Sequence, residues 1–352
     1  MFSKLRSLIF KLDPETAHNL AIKSLKFNFI SNIFDENKND PMFQTNLFGK
    51  KIDNPIGLAA GFDKNAEVYN PLFRLGFGFV EVGTVTPIKQ YGNPKPRVFR
   101  LKEDEALINR LGFNSFGANN VNSTIRSNPP NGLLGINIGP NRDTKDKLND
   151  YLICLKRFHD IADYITVNIS SPNTANLRDF HDQNKFEKLI STIEQEMKKL
   201  KSNTPIVVKI SPDILDEQAA QISEILLKYT IKGIIVSNTT NGNRENLINM
   251  SKHQKGGLSG KPLETRSNQL INIFYNLLKG KISIIGVGGV DSGKSAYAKF
   301  LAGANFIQLY TGMVYQGPNI VLKIKNELKE LLINEGVRNF QDIIGKKEKT
   351  IF

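Results

Sequence analysis

Tyr164-Ile-Thr-Val-Asn-Ile-Ser-Ser-Pro-Asn-Thr174 is an apolar run that ends in amides and hydroxyls. The β-branched content of Tyr164 to Ile169 reads as a buried strand. Asn168 to Thr174 then delivers carboxamides, hydroxyls and a proline to one small volume. Such groups hydrogen-bond a polar, ring-shaped ligand without adding charge. The same residue types also make ordinary turns, so the stretch alone leaves both readings open.

Working outward, seven further apolar runs carry the same strand pattern: Pro55–Leu58, Phe79–Val82, Leu134–Ile138, Pro205–Ile210, Gly233–Val236, Ile282–Val287 and Asn305–Leu309. Helical patterns separate them. Phe186, Leu189, Ile190, Ile193, Met197 and Leu200, for example, form one face at i, i+3, i+4 and i+7. Eight strand–helix units predict an α/β protein with a (β/α)₈ barrel, because closure leaves no edge strand. The interval from Pro87 to Leu133 must hold an inserted excursion.

With 352 residues, 40% of them hydrophobic, the chain can bury a large core in one big domain or two smaller ones. Its formal net charge is +13, yet Lys and Arg are dispersed among acids and form no block interleaved with aromatics. Nucleic-acid binding is therefore not expected; attraction to anionic lipid or to an anionic substrate explains the charge as well. No run of about 18 uncharged apolar residues suggests a transmembrane helix. The single cysteine, Cys154, fits a reducing compartment and reads as a small buried hydrophobe on the helix running to Phe158.

The N-terminus has its own character. Phe2, Leu5, Ile9 and Leu12 recur at helical spacing between Lys4, Arg6 and Lys11. Asp13-Pro14-Glu15 reads as an N-cap, a first-turn proline and a dipole-facing acid. A second helix follows, with His18, Ile22, Leu25 and Phe29 along one stripe. Two basic amphipathic helices can lie on a membrane surface or cap the main domain. Asp35 to Pro41 is the candidate boundary between them and the barrel.

Barrel chemistry collects at the carboxyl ends of the strands. Those ends read Ala59 to Asn65, Gly83-Thr84, Asn137 to Gly139, the Ser/Asn stretch, Lys209, Ser237 to Thr240, Gly286 to Gly289, and Tyr310 to Gly312. Eight polar ends together exceed what turns require. No His/Cys/Asp/Glu spacing suggests a metal. The last two ends suit a phosphate held by backbone N–H groups. Gly288 to Ser295 also matches GxxxxGK[ST], but only one strand follows it and no acid ends that strand, so Lys294 is read as dispensable. Lys209 could form a Schiff base in an aldolase or stabilise negative charge on an electron-rich ring. The chain could also be a basic, non-catalytic binding protein. No G-x-S-x-G elbow surrounds the serines, and no histidine ends a strand.

Together the strand ends resemble quinone-dependent (class 2) dihydroorotate dehydrogenase over nearly the whole chain. The most specific pieces are Gly57 to Lys64, Gly83 to Pro87, Pro96 to Arg100, Asn109 to Phe113, Gly135 to Gly139, Val167 to Asn173, Asn238 to Thr240 and Gly256 to Gly260. The resemblance implies bound FMN, oxidation of dihydroorotate to orotate, and a membrane quinone as acceptor. It makes Ser171 the base that takes the C5 proton, with Thr174 and Phe113 shaping a water relay. It puts Lys64, Asn109, Arg110, Leu111, Gly112, Phe113, Asn168, Asn173, Asn238 and Thr239 around the substrate. Lys209 matches the lysine at the flavin N1/O2 edge. Ala60, Gly61, Phe62, Asp63, Lys64, Thr84, Asn137, Asn168, Ser237, Gly260, Gly289, Tyr310 and Thr311 match other FMN positions. Ser237 stands where threonine is common, and Phe62 where leucine is frequent. His18 and Arg100 match the quinone site, giving residues 1–40 as a helical quinone and membrane segment before a barrel over 41–352. A monomer held peripherally on the cytoplasmic side of the cell membrane is expected.

Overall fold

β-Branched runs too short for helices can satisfy their backbone only by pairing, and here they pair side by side until the last meets the first. The structure is a computed structural model and describes residues 2–27, 40–174, 176–242 and 244–346. It opens with α1 (Phe2–Ile9) and α2 (Pro14–Lys26), then a hairpin of β1 (Thr45–Leu47) and β2 (Lys50–Ile52). Next come β3 (Ile56–Leu58), α3 (Tyr69–Arg74) and β4 (Phe79–Val85), before β5 (Val98–Leu101) and β6 (Ala106–Asn109) leave the wall. After α4 (Ala118–Ser127) the alternation runs β7 (Leu133–Ile138), α5 (Lys147–Phe158), β8 (Tyr164–Asn168), α6 (Gln183–Lys199), β9 (Ile206–Lys209), α7 (Asp216–Lys228) and β10 (Gly233–Val236). β11 (Gly257–Gly260) leaves the wall again. The chain finishes with α8 (Glu264–Leu278), β12 (Ser283–Val287), α9 (Gly293–Ala302), β13 (Phe306–Leu309), α10 (Thr311–Gln316) and α11 (Ile320–Asn334).

The closed barrel runs β3-β4-β7-β8-β9-β10-β12-β13, and β13 returns to β3 in parallel register from Ile307 opposite Ile56 to Leu309 opposite Leu58. These are the eight strands expected. The fold adds two sheets that the alternation did not reveal. β1 and β2 pair across Phe48 and Gly49, both at positive φ, and plug the amino end of the barrel. Leu47 and Ile52 pack there with Phe79, Tyr164 and Phe306. The excursion after β4 forms an antiparallel sheet in which β6 lies between β5 and β11. Asn109 pairs with Gly257 there, so this sheet stands over the carboxyl mouth.

Inside the wall Glu81 is fully buried. It accepts hydrogen bonds from Asn137 Nδ2 at 2.8 Å, the Tyr164 hydroxyl at 2.9 Å, Thr166 Oγ1 at 3.1 Å and Gln308 Nε2 at 3.1 Å. A buried carboxylate is tolerable only with such partners. Outside the wall, α6 buries Phe186, Leu189, Ile190, Ile193 and Met197, the face its spacing predicts. Cys154 is buried on α5, and burial raises its thiol pKa, which suits packing rather than attack.

At the N-terminus, Asp13 caps α2 by accepting the N–H groups of Glu15 and Thr16, each at 3.0 Å. Ile22 and Leu25 join the same core as the barrel helices. Glu15 receives the Arg97 guanidinium through bonds of 2.9 to 3.2 Å, fastening α2 to the segment before β5. Phe29, and residues 35–39 of the boundary expected at Asp35 to Pro41, lie outside the described residues.

Tyr164→Phe removes one donor from Glu81 without changing the apolar shape. Since the same Glu81 oxygen keeps the Thr166 and Gln308 donors, stability is expected to fall by roughly 0.5–1.5 kcal/mol, the usual net worth of one hydrogen bond, read as a lower urea midpoint.

Candidate functional site

The plug at one end leaves the carboxyl mouth as the place where strand ends meet open space. They surround a cavity of about 970 Å³, its open mouth included, a size typical of small-molecule sites. Ser171, Asn173 and Asn168 enter it from β8, Lys209 from β9, and Ser237, Asn238 and Thr239 from β10. Ala60, Gly61 and Lys64 come from β3, and Thr84 from β4. Asn109, Leu111, Gly112 and Phe113 follow β6, Gly260 ends β11, and Gly289, Tyr310 and Thr311 follow β12 and β13. Ser171 and Lys209, more than thirty residues apart in the chain, thus share one chamber.

The amides are locked in place by each other. Thr84 Oγ1 donates to Asn137 Oδ1 at 2.6 Å, and Asn168 Nδ2 donates to both oxygens at 3.0 and 3.1 Å. Asn238 Nδ2 donates to Ser170 Oγ at 2.9 Å, whose hydroxyl donates to Asn168 Oδ1 at 2.9 Å. The Asn173 side chain donates to the Asn109 carbonyl at 3.1 Å, joining the β8 loop to the outer sheet. The Asn173 backbone N–H donates to Ser171 Oγ at 3.2 Å, so charge developing on that oxygen meets a donor.

Four of the residues expected around substrate or cofactor do not line this cavity. Asn137 is wholly buried behind it and acts through Thr84, Asn168 and Glu81. Asp63 braces the β3 loop by accepting the N–H groups of Glu67 and Val68, each at 2.8 Å; burial pushes its pKa up to about 6. Arg110 turns outward, donating to Gln254 and to the Pro96 and Lys255 carbonyls, with its guanidinium over the Phe99 ring at 4.6 Å. Phe62 faces a second space. Sequence reasoning had not named Ser259, Leu263 or Val290 as site residues, though all three line the cavity. It had also missed Arg178, which ties the β8 and β10 ends by donating to the Ser170 and Thr239 carbonyls.

That second space, about 1060 Å³ with its opening, lies between α2 and the barrel. Gly61, Lys64, Leu111 and Tyr310 line both cavities and so divide them. His18 lines it, edge-on to Phe62 at 5.1 Å, and desolvation pushes its pKa down to about 4. Arg100 lines neither cavity. Its guanidinium binds the Ile9, Phe10 and Leu12 carbonyls and rests over the Phe10 ring, fastening the end of α1.

Two observations describe what the first cavity can hold. Lys209 is buried and its ammonium donates no hydrogen bond among the described residues; desolvation lowers its pKa, and Glu81 acts the other way without outweighing it. Such an ammonium fits a ligand edge that carries negative charge. On the other side, the backbone N–H groups of Gly289, Val290, Thr311 and Gly312 donate to no protein group among the described residues. A Cβ at Gly312 would come within 2.2 Å of the Val290 carbonyl, so the two loops need that glycine to close into a cradle. Four convergent N–H groups suit a phosphate. Gly61, at φ +114, opens onto the cavity, where a Cβ would meet no protein atom within 4 Å. The residues therefore fit a large planar ligand ending in a phosphate.

The GxxxxGK[ST] match has a different geometry from a nucleotide loop. Lys294 sits exposed on α9, and the N–H of Gly293 donates to Glu327 at 2.6 Å, so a carboxylate from α11 already occupies that helix start.

Comparison with known proteins gives the family and the fold. Residues 42–332 match the family model described as dihydroorotate dehydrogenase. A dihydroorotate dehydrogenase (quinone) of Bartonella tribocorum is 47% identical over 344 residues, covering 96% of this chain and 94% of the relative. The mitochondrial dihydroorotate dehydrogenase (quinone) of Mus musculus is 42% identical, covering 95% and 87%. Among solved structures, the Eimeria tenella enzyme in complex with ferulenol superposes with a TM-score of 0.90 at 38% identity, covering 95% of each chain.

Lys294→Ala is expected to leave the cavity's ligand bound at full stoichiometry, measured by native mass spectrometry of the purified protein. Loss of the ligand would restore the nucleotide-loop reading.

Proposed function

The chain belongs to the dihydroorotate dehydrogenase family, and from that premise we propose that it oxidises (S)-dihydroorotate to orotate through FMN and reduces a membrane quinone, in the synthesis of UMP. One observation carries the reading: a candidate base, an unpartnered buried lysine and a cradle of free N–H groups all face one cavity.

FMN, when bound, supplies the hydride acceptor and the route by which two electrons leave. The N–H groups of Gly289, Val290, Thr311 and Gly312 would hold its phosphate. Lys209 would compensate negative charge on its ring, and Ala60, Gly61, Thr84, Ser237 and Gly260 would line the space it takes. The Ser171 hydroxyl gives its own proton to a water path shaped by Thr174 and Phe113 as its Oγ takes the C5 proton, and the Asn173 N–H stabilises the negative charge that develops on Oγ between the two transfers. Asn109, Asn168, Asn173, Asn238 and Thr239 orient the pyrimidine, with Lys64 beside its carboxylate. Asn137 and Asp63 act as positioning residues, since each works through the backbone or amides it holds.

The quinone enters the second cavity. Residues 1–40 form its segment and residues 41–352 the FMN barrel. His18 is neutral at physiological pH because its pKa lies near 4, so it meets a quinone oxygen as an uncharged hydrogen-bonding group. Arg100 serves by fixing the end of α1. Among the described residues no helix is long and apolar enough to cross a membrane. The protein is a monomer that binds the cytoplasmic face of the cell membrane peripherally, drawn by its +13 charge.

The purified protein is expected to be yellow and to bleach anaerobically on mixing with dihydroorotate. A colourless protein, or one that dihydroorotate leaves unbleached, would refute the reading. In the same stopped-flow measurement Ser171→Ala should slow bleaching by roughly 10²–10⁴, the usual share of general-base catalysis. A near wild-type rate would remove Ser171 from that role.

Burial, aided by Arg97, pushes Lys64 down to about 7, so its ammonium is charged below that pH and lost above it. KM for dihydroorotate should therefore rise as the pH climbs past neutral. In Lys64→Met the KM should be high throughout and lack this slope.

A further inference from the structure

Beside the entrance of the α2 cavity lies an apolar, basic patch that the chemistry above does not use. Ile88 is 69% exposed, Tyr91 79% and Phe116 48%. The Lys89 ammonium stands 5.3 Å from the Tyr91 ring and 6.0 Å from the Phe116 ring, so one cation ties the aromatics together.

The patch is built, not a loose loop. Gln90 and Ser115 exchange backbone hydrogen bonds of 3.0 Å in both directions, joining the loop after β4 to the loop after β6. Gly117, at φ +89, permits the close approach; a Cβ there would lie 2.8 Å from the Lys89 backbone nitrogen. The Arg97 guanidinium donates to the Tyr91 carbonyl at 2.6 Å and pairs with Glu15 of α2. Phe116 lines the second cavity together with His18 and Asn19. The patch therefore abuts α2, where Leu20 is itself 50% exposed and Phe27, just past the helix end, 78%. Lys89 and Lys95 supply exposed positive charge around it.

We propose that Ile88, Lys89, Tyr91 and Phe116 form a second, barrel-borne contact with an anionic lipid bilayer, holding the entrance of the α2 cavity against the membrane. The proposal rests on the membrane reading above. A lipid interface accepts this composition. Tyrosine seats an apolar ring with its hydroxyl in water, lysine keeps its ammonium at the headgroups, and isoleucine reaches the acyl boundary. A bilayer touching α2 alone would leave the orientation of the barrel free; a second contact rigidly joined to the first through Arg97 fixes it.

The test is flotation of the full-length protein with phosphatidylcholine vesicles, with and without phosphatidylglycerol, against the variant Ile88→Ser/Lys89→Ser/Tyr91→Ser. None of these side chains touches either cavity. The wild type should bind the phosphatidylglycerol vesicles, and the variant's apparent Kd should rise by about tenfold or more. Its turnover of dihydroorotate with a soluble electron acceptor should stay within about twofold. Vesicle binding equal to wild type would overturn the proposal and leave the patch to a protein partner. Absence of vesicle binding by the wild type would instead overturn the membrane reading itself. Should the triple variant lose soluble turnover, Tyr91→Ser alone, whose backbone contact to Arg97 is unchanged, decides the same question.

Discussion

Everything in this molecule depends on the closure of β13 onto β3. A parallel sheet with free edges would present unpaired N–H and C=O groups along two sides. Closure removes both edges, and the β1–β2 hairpin then seals the amino end with Leu47, Phe48 and Ile52. Unpartnered polar groups that can meet a ligand then gather at the other end. The free N–H groups of Gly289, Val290, Thr311 and Gly312 and the unpartnered Lys209 are there for that reason. The barrel does not merely carry the site; it decides where a site is possible.

Within that mouth, charge is used sparingly. Most of the contacts are amides and hydroxyls that satisfy one another, which costs little when the cavity is dry. Lys64 and Lys209 differ, because desolvation presses both toward the neutral form. Burying an ammonium without a carboxylate beside it is destabilising unless a ligand brings the anion. By linkage, an anionic ligand raises their pKa on binding, and it binds more tightly the more fully they are already protonated. Two under-compensated lysines at separate points of one cavity therefore describe a ligand set with negative charge at two places. A flavin ring edge and a substrate carboxylate meet that description.

Much of this was legible in the chain. β-Branched runs at even intervals gave eight strands because wall strands, buried on both faces, are apolar throughout. The polar residues following them then had only one end of the barrel to occupy. Other features were hidden by distance or by standing outside the strand–helix alternation. β1 pairs with β2, and β5 with β6, with no helix of the repeat between them, and β6 pairs with β11 across some 150 residues, beyond any local pattern. Glu327, which occupies the start of α9, comes from another helix, so the nucleotide-loop match could not be dismissed from its own residues. Arg110 shows a local rule that was available. Successive side chains of an extended segment point to opposite faces, so with Asn109 and Leu111 toward the cavity, Arg110 had to face away.

The position of α2 follows from a similar constraint. Its apolar stripe is short, with Ile22 and Leu25 buried among the described residues, and could not by itself fix the helix against the barrel. The Glu15–Arg97 pair supplies the missing direction. Arg97 is almost wholly buried, and its guanidinium also donates to the Tyr91 and Asn93 carbonyls, so its fork is held from several sides. Its own carbonyl receives the N–H of Arg110, one residue from Leu111, which lines both cavities. One side chain thus joins the helix that walls the second cavity to the segment that divides it from the first. Moving α2 would disturb that division as well as the outer wall, so both cavities keep their shapes only while α2 stays docked.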